Sequence, residues 1–277
     1  MMLSCIGAYL IGVLYLGEVI RIPAAIPTSL GTAVAFFITF NNNQAYGRWW
    51  EARTIWGALV NDSRSWARNV LIYADAANDY DDVPRRMVRR HIAFLYALKQ
   101  SLRGQTEREF DRYVSTEECR YVSKFANIPS ALLDEQTRDL DYLRNVGRVD
   151  GFAFLTLNEM IVRFSDSMGR CERIRNTPFP GTYLYFTRLF IWFFVVLMTM
   201  VIADDTGIWS IFLGWIIGFV FHVTHINGLS LMNPFDMNPA SMPLSAITRT
   251  IEINLLEILG ETEVPKPVQP INNEYLL

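Results

Sequence analysis

Ile26–Arg53 reads IPTSLGTAVAFFITFNNNQAYGRWWEAR, and the rest of the 277-residue chain is arranged around it. Through Phe40 the stretch is apolar and compatible with a helix, and Pro27 stands where a helix can begin. At Asn41, Asn42 and Asn43 it turns polar, then aromatic and basic at Tyr46, Arg48, Trp49, Trp50 and Arg53. A membrane helix that emerges on a basic side shows this order of residues. Four-residue spacing draws two stripes along the apolar half: Thr32, Phe36 and Phe40 on one, with Gly31, Ala35 and Thr39 beside it. The small stripe is expected to admit a close helix neighbour, and the larger stripe to face whatever the helices enclose. Spacing alone favours ordinary core packing for the two phenylalanines.

Upstream, Leu3 to Ile20 is apolar and long enough to cross a bilayer, at about 1.5 Å per residue. With no basic n-region and no small-residue cleavage site, it reads as a membrane segment and not as a signal peptide. Glu18, Arg21, Pro23 and Pro27 make a short polar turn into the second segment. The strictly apolar part of that segment is shorter than about twenty residues, which suits a helix that lines a pore and need not be apolar all round.

Downstream, nothing from Asn41 to about Pro180 is apolar enough to span, and this region holds most of the charge. An acidic cluster at Asp75, Asp79, Asp81 and Asp82, followed by Pro84, marks a loop and a helix start. Val88, Ile92, Leu95, Leu98 and Leu102 then predict an amphipathic helix. Further helices are predicted over about 115–125, 130–146 and 152–175, with no strand alternation and no repeat. Tyr183 to Ala203 is the clearest membrane segment, with Arg188 near its start placed to snorkel. Asp204, Asp205 and Gly207 form a tight turn into a fourth segment, Ile208 to Ile226.

If both termini lie inside, the outer loops 18–27 and 204–207 contain a single basic residue, Arg21, and the inner segments hold the other Lys and Arg outside the membrane. That positive-inside bias agrees with four spans. A composition 51% hydrophobic and 19% charged fits a membrane protein with a sizeable water-exposed part. The net charge of -3, without a recognisable reader motif, points away from nucleic acid.

Cys5, Cys119 and Cys171 lie far apart and form no CxxC, so neither a zinc site nor a disulfide framework is suggested. His222 and His225 have metal-ligand spacing but no evident third ligand, which favours interfacial polar residues over a metal site. Trp49 and Trp50 are read as interface anchors. No GxSxG, HExxH, phosphate-cradling loop or dinucleotide fingerprint occurs, so no enzyme activity and no cofactor are indicated.

Three phrases recur in order along the chain. The first is NNQAYGRWWEARTIWG, carrying Asn42, Asn43, Tyr46, Arg48, Trp49, Glu51, Ala52, Arg53, Trp56 and Gly57, with Gly31 and Phe40 matching just upstream of it. The second is CERIRNTPFP, with Cys171, Glu172, Arg173, Ile174, Thr177, Pro178 and Pro180; the third is Asn233-Pro234-Phe235. By these the chain resembles the bestrophin ion channels, and in particular their bacterial branch. The resemblance implies a homopentamer in which the helix over about 28–47 lines a narrow hydrophobic neck, with rings at Thr32, Phe36 and Phe40. Thr32 departs from the bulky aliphatic residue usual at that ring. Phe152 aligns, on a looser match, with a second, cytosolic aperture, and Asn41, Asn42 and Asn43 fall at the pore mouth, where their amides are expected either to pair across subunits or to face permeating ions as neutral dipoles. Asn41 stands where some members have a basic residue. After Asn233-Pro234-Phe235 the animal calcium clasp is an acidic run; here Asp236 is its one carboxylate, so activation by that route is not expected. The family usually carries further residues before the first helix.

The expectation is therefore an all-α membrane protein with four transmembrane helices per subunit and a large helical cytosolic region, assembled as a bestrophin-like homopentamer around a central pore. Residues 1–47 hold membrane helices 1 and 2, 48–180 the cytosolic region, 181–227 membrane helices 3 and 4, and 228–277 a cytosolic segment that wraps neighbouring subunits. The location is the cell inner (plasma) membrane, multi-pass, with both termini cytosolic. The partners are lipid and small monovalent ions, chloride-type anions or sodium-type cations. The competing reading is a membrane-anchored scaffold or a carrier with a partner-binding cytosolic region. A carrier should show internal repeats or broken helices with buried ionisable groups, which the sequence lacks.

Overall fold

The computed structural model describes residues 1–13, 22–74, 82–272 and 275–276. Its helices are α1 (Met2–Ile11), α2 (Ala25–Tyr73), α3 (Val83–Arg103), α4 (Thr116–Val122), α5 (Ile128–Asn145), α6 (Gly151–Asn176), α7 (Gly181–Thr206), α8 (Trp209–Leu231) and α9 (Leu244–Ile258), with a 3-10 turn over Glu109–Tyr113. Among the described residues there is no strand, only an isolated bridge between Ile271 and Tyr275. The chain divides into two compact units, one of residues 1–49 with 178–233 and one of 50–177 with 234–277. The 49-residue α2 gives its first half to the former and its second half to the latter.

Short-range chemistry sets the ends of the helices. Ser115 Oγ accepts the Glu118 amide at 3.1 Å to start α4, Asn127 Oδ1 accepts that of Ser130 at 3.1 Å before α5, and Asp150 Oδ1 accepts that of Ala153 at 2.7 Å before α6. Gly104, at φ +63°, turns the chain out of α3 in a left-handed conformation that only glycine adopts without strain. Pro178 and Pro180 separate α6 from α7, since neither can supply a helical amide proton.

In the first unit, α7 and α8 are each long and apolar enough to cross a membrane. Phe193 of α7 and Trp209, Phe212, Phe219 and Val220 of α8 stand exposed, an outward apolar surface that lipid covers at no cost. The described part of the first predicted span is the ten-residue apolar α1; residues 14–20 of that span lie outside the described residues, as does Arg21. Gly214 and Gly218, one turn apart on α8, let α7 approach its backbone. A Cβ on Gly218 would stand 2.7 Å from Val195 Cγ2, and one on Gly214 would collide with Thr199 Oγ1. Cys5, Val34, Ile38, Ile191, Phe194 and Val195 form the core of this unit.

In the second unit the predicted amphipathic helix proves to be central. Every residue of α3 from Arg90 to Gln100 is buried, and Arg90, His91, Tyr96 and Lys99 among them find partners on other elements. Tyr96 Oη donates to Glu252 Oε2 of α9 at 2.5 Å, and Tyr113 donates to Oε1 of the same carboxylate. Burial, reinforced by those bonds, pushes both phenols well above their ordinary range, so each remains a donor.

His91 is fully buried among Trp66, Phe94 and Phe164, its ring 4.2 Å from that of Phe164. Ser63 gives its one hydroxyl proton to Leu59 O, so the 2.8 Å contact to His91 Nε2 is donated by the histidine. Nδ1 is then a bare acceptor with no partner. Burial pulls the His91 pKa down to about 3. The unfolded chain binds the extra proton from about pH 6.5 downward, so this group's contribution is complete above that pH and is lost as pH falls toward 3. Denaturation of the protein in detergent, followed by tryptophan fluorescence, should show the stability gap between wild type and His91→Gln shrinking by up to about 1.4 kcal/mol per pH unit across that window. A gap that does not vary with pH would remove His91 from the account.

Candidate functional site

The first half of α2 presents two faces. Gly31, Val34, Ile38, Asn41 and Ala45 are buried, following alternate steps of three and four residues. Gly31 meets the Phe194 ring so closely that a Cβ there would lie 2.6 Å from Cε2. The opposite face carries Thr32, Ala35, Phe36, Thr39, Phe40 and Asn43, all exposed within the chain. Of the predicted small stripe only Gly31 packs inward; Ala35 and Thr39 lie outward beside the phenylalanines.

Phe36 is 74% exposed, an unusual position for a phenylalanine on a helix whose other side is tightly packed. Phe40 leans toward Tyr183 of α7, ring centroids 6.0 Å apart, and keeps 47% of its surface. Between them Phe37 turns to Phe190 at 5.7 Å and is half-buried. Thr32 Oγ1 donates to Thr28 O at 3.1 Å, so its hydroxyl proton is already used inside the helix. The exposed stripe thus presents two aromatic rings below a threonine whose only proton donor is occupied.

The three asparagines point three ways, as residues 100° apart on a helix must. Asn41 is 2% exposed and donates from Nδ2 to Thr187 Oγ1 at 2.9 Å. Asn42 donates to Thr224 O of α8 at 3.2 Å, and Gly228 leaves room for its amide, since a Cβ there would collide with Oδ1. Asn43 is exposed and falls in line with Thr32, Phe36 and Phe40. Within the chain, only Asn43 continues the outward stripe.

His225 is 1% exposed, and neither of its ring nitrogens has a partner; His222 Nδ1 is likewise unpartnered. Among the described residues no group of three or more His, Cys, Asp or Glu side chains converges.

In the second unit Phe152 stands in the first turn of α6, 84% exposed, with Leu155 beyond it on the same side at 64%. The reverse face of α6 is fixed by Leu157, Met160, Ile161 and Phe164 in the core. The sequence phrases meet here as well. Arg173 of the second pairs with Glu51 of the first at 2.6 Å, and buried Cys171 lies against buried Trp56. Burial pushes the Cys171 thiol up to about 12, which makes it an inert core residue. Phe235 of the third phrase is fully buried. These phrases are scaffold, and the exposed stripe of α2 lies outside them apart from Asn43.

Fold and surface together define a helical integral membrane protein in which the first half of α2 keeps Phe36 and Phe40 outward. The chain belongs to the bestrophin family: residues 1–257 match the family described as Bacterial/Fungal Bestrophin protein. Bestrophins are ion channels, not enzymes. The chain is 30% identical over 243 residues to the Voltage-dependent anion channel-forming protein YneE of Escherichia coli (strain K12), covering 87% of this chain and 78% of that protein. It is 27% identical over 247 residues to the Voltage-dependent anion channel-forming protein mll4386 of Mesorhizobium japonicum, covering 89% and 78%. Among solved structures it resembles a bacterial bestrophin homologue from Klebsiella pneumoniae, with a TM-score of 0.88 at 25% identity, over 95% of this chain and 97% of that one.

Two features escaped the sequence reading. Asn41 was placed with the pore mouth by its position in the triple, whereas its spacing of three from Ile38 already puts it on the packed face. The buried charges of α3 gave no local signal, because their partners lie far along the chain.

Proposed function

We propose that this chain is one subunit of a homopentameric channel for small monovalent ions. Four helices per subunit cross the inner membrane, the second being the apolar half of α2, and both termini lie in the cytosol. In this reading residues 1–47 and 181–227 lie in the membrane, residues 48–180 form the cytosolic region, and residues 228–277 wrap neighbouring subunits. Five copies of α2 surround the pore, and Thr32, Phe36 and Phe40 form successive rings of a hydrophobic neck. Asn43 follows at its cytosolic mouth, with Asn42 behind it. Asn41 serves there by fixing α2 against α7 through Thr187. Phe152 forms a separate cytosolic aperture.

The observation that carries this reading is the outward face of α2. A phenylalanine 74% exposed on a helix otherwise packed by Val34 and Ile38 needs a role that internal packing does not give it. A ring of such side chains resists wetting and sets a barrier to hydrated ions. None of the neck residues is charged, so ion sign is decided by weaker dipoles and by groups at the mouths. The anion-channel names of the relatives favour chloride-type anions. In planar bilayers under a sodium chloride gradient, the purified protein should reverse near the chloride potential. Reversal near the sodium potential would overturn the anion assignment, and no current from verified pentamers would overturn the channel itself.

A further inference from the structure

We propose that the second unit carries a binding site for a small zwitterion of the amino-acid class. The site is a cavity of about 370 Å³ where the end of α3, the following loop, the 3-10 turn and the start of α5 come together. That volume falls within the range of about 300–1,000 Å³ typical of small-molecule sites.

Three side chains give the cavity its chemistry. Gln100 lines it and is only 5% exposed, yet its amide nitrogen is buried with no hydrogen-bond partner. An unpaired buried amide is costly, and a ligand carboxylate would satisfy it once the soft terminal torsion turns the N–H groups toward the cavity. Arg108 lines the same cavity. Its guanidinium lies 5.3 Å from the Phe110 ring centroid, Nε is 3.2 Å from Asp111 Oδ2, and Nη2 donates to Ser123 Oγ and to Cys119 Sγ at 3.0 Å. Nη1 makes no hydrogen bond and remains available. Glu107, the adjacent lining residue, is exposed and engages no cation.

A carboxylate is therefore met by the Gln100 amide and Arg108 Nη1, with the positive end of the 18-residue α5 behind them. Glu107 suits an ammonium group and repels a second carboxylate. Ala97, Phe110 and Ile128 supply an apolar wall for a short side chain. The three together select a neutral amino acid over a simple carboxylate or a dicarboxylate.

Equilibrium dialysis of the purified full-length protein in detergent tests this, with radiolabelled glycine, alanine, serine and glutamine as probes and acetate and glutamate as comparators. At least one neutral amino acid should bind saturably, one per chain, with acetate and glutamate at least about tenfold weaker, a difference of about 1.4 kcal/mol. Gln100→Leu should weaken the neutral probe about tenfold. Glu107→Gln, at an exposed position that folding does not need, should abolish the preference over acetate. Absence of saturable binding by any neutral probe up to about 10 mM, a dissociation constant near the weak end of specific recognition, overturns the proposal. So does acetate binding as well as glycine, or binding that neither variant alters.

Discussion

Phe36→Ala combined with Phe40→Ala is expected to raise open probability and macroscopic current, by roughly tenfold or more. The size follows from the nature of the barrier. Lowering it by about 1.4 kcal/mol speeds passage tenfold, and in the proposed pentamer the double variant removes ten aromatic side chains from the neck, far more apolar wall than that requires. The fold should be almost indifferent, because Phe36 is 74% exposed and Phe40 47% exposed within the chain. Exposed positions outside structural networks ordinarily change stability by no more than about 0.5 kcal/mol. Phe37 is the internal control, since it packs on Phe190 at 5.7 Å and does not lie on the stripe. Phe37→Ala should loosen the α2–α7 packing without opening the neck. Of the single variants Phe36→Ala should have the larger effect, because Phe40 is partly retained by Tyr183. Unchanged single-channel and flux behaviour in the double variant would count against the neck assignment.

The stripe was legible because helical period is a local property. Thr32, Phe36 and Phe40 share a side whatever surrounds them, and residue order alone places them there. The companion stripe Gly31, Ala35 and Thr39 has the same four-residue step and the same drift of about 40° per step. Within the chain only Gly31 meets a neighbour, the Phe194 ring, and Ala35 and Thr39 stand outward beside the phenylalanines. The packed face keeps its direction by alternating three and four, through Val34, Ile38, Asn41 and Ala45. The long apolar runs of α7 and α8 and the prolines at 178 and 180 were likewise local signals, and those helices appear where the sequence puts them. What stayed hidden is the interior of the second unit. Arg90, His91 and Lys99 look like solvent-facing residues in a sequence, and become core only through Glu118, Asp139, Ser63 and Glu109. The site residues divide along the same line. Period puts Phe36 on one side with Thr32 and Phe40, but spacing alone favours core packing there and the neck reading comes from the family resemblance, while the inward turn of Asn41 shows fully only with Thr187 in view.

Replacement of Arg90 should be among the most damaging single changes in the second unit. The side chain is 3% exposed, and it joins three elements: Nε pairs with Glu118 of α4, and Nη1 reaches Asp139 Oδ2 of α5 at 2.5 Å and Glu135 O at 3.2 Å. Burial disfavours its charge, but hydrogen bonds and charge attraction from Glu118 and Asp139 outweigh that and hold its pKa above the ordinary value. Arg90→Ala leaves Glu118, 8% exposed, facing a cavity without a cation, while Asp139, 15% exposed, keeps only Arg86, whose Nη2 stands 2.8 Å from Oδ1. Breaking a buried pair in this way costs about 3–5 kcal/mol, most of it from stranding the partners. That origin separates the account from simple loss of packing. Arg90→Met preserves much of the volume and should be nearly as destabilising by itself. Adding Glu118→Leu and Asp139→Leu to it should recover a large part of the loss, since an apolar cluster replaces the ionic one. Denaturation of the purified protein in detergent measures each step. If the triple variant is no more stable than Arg90→Met, volume and not stranded charge holds α3, α4 and α5 together.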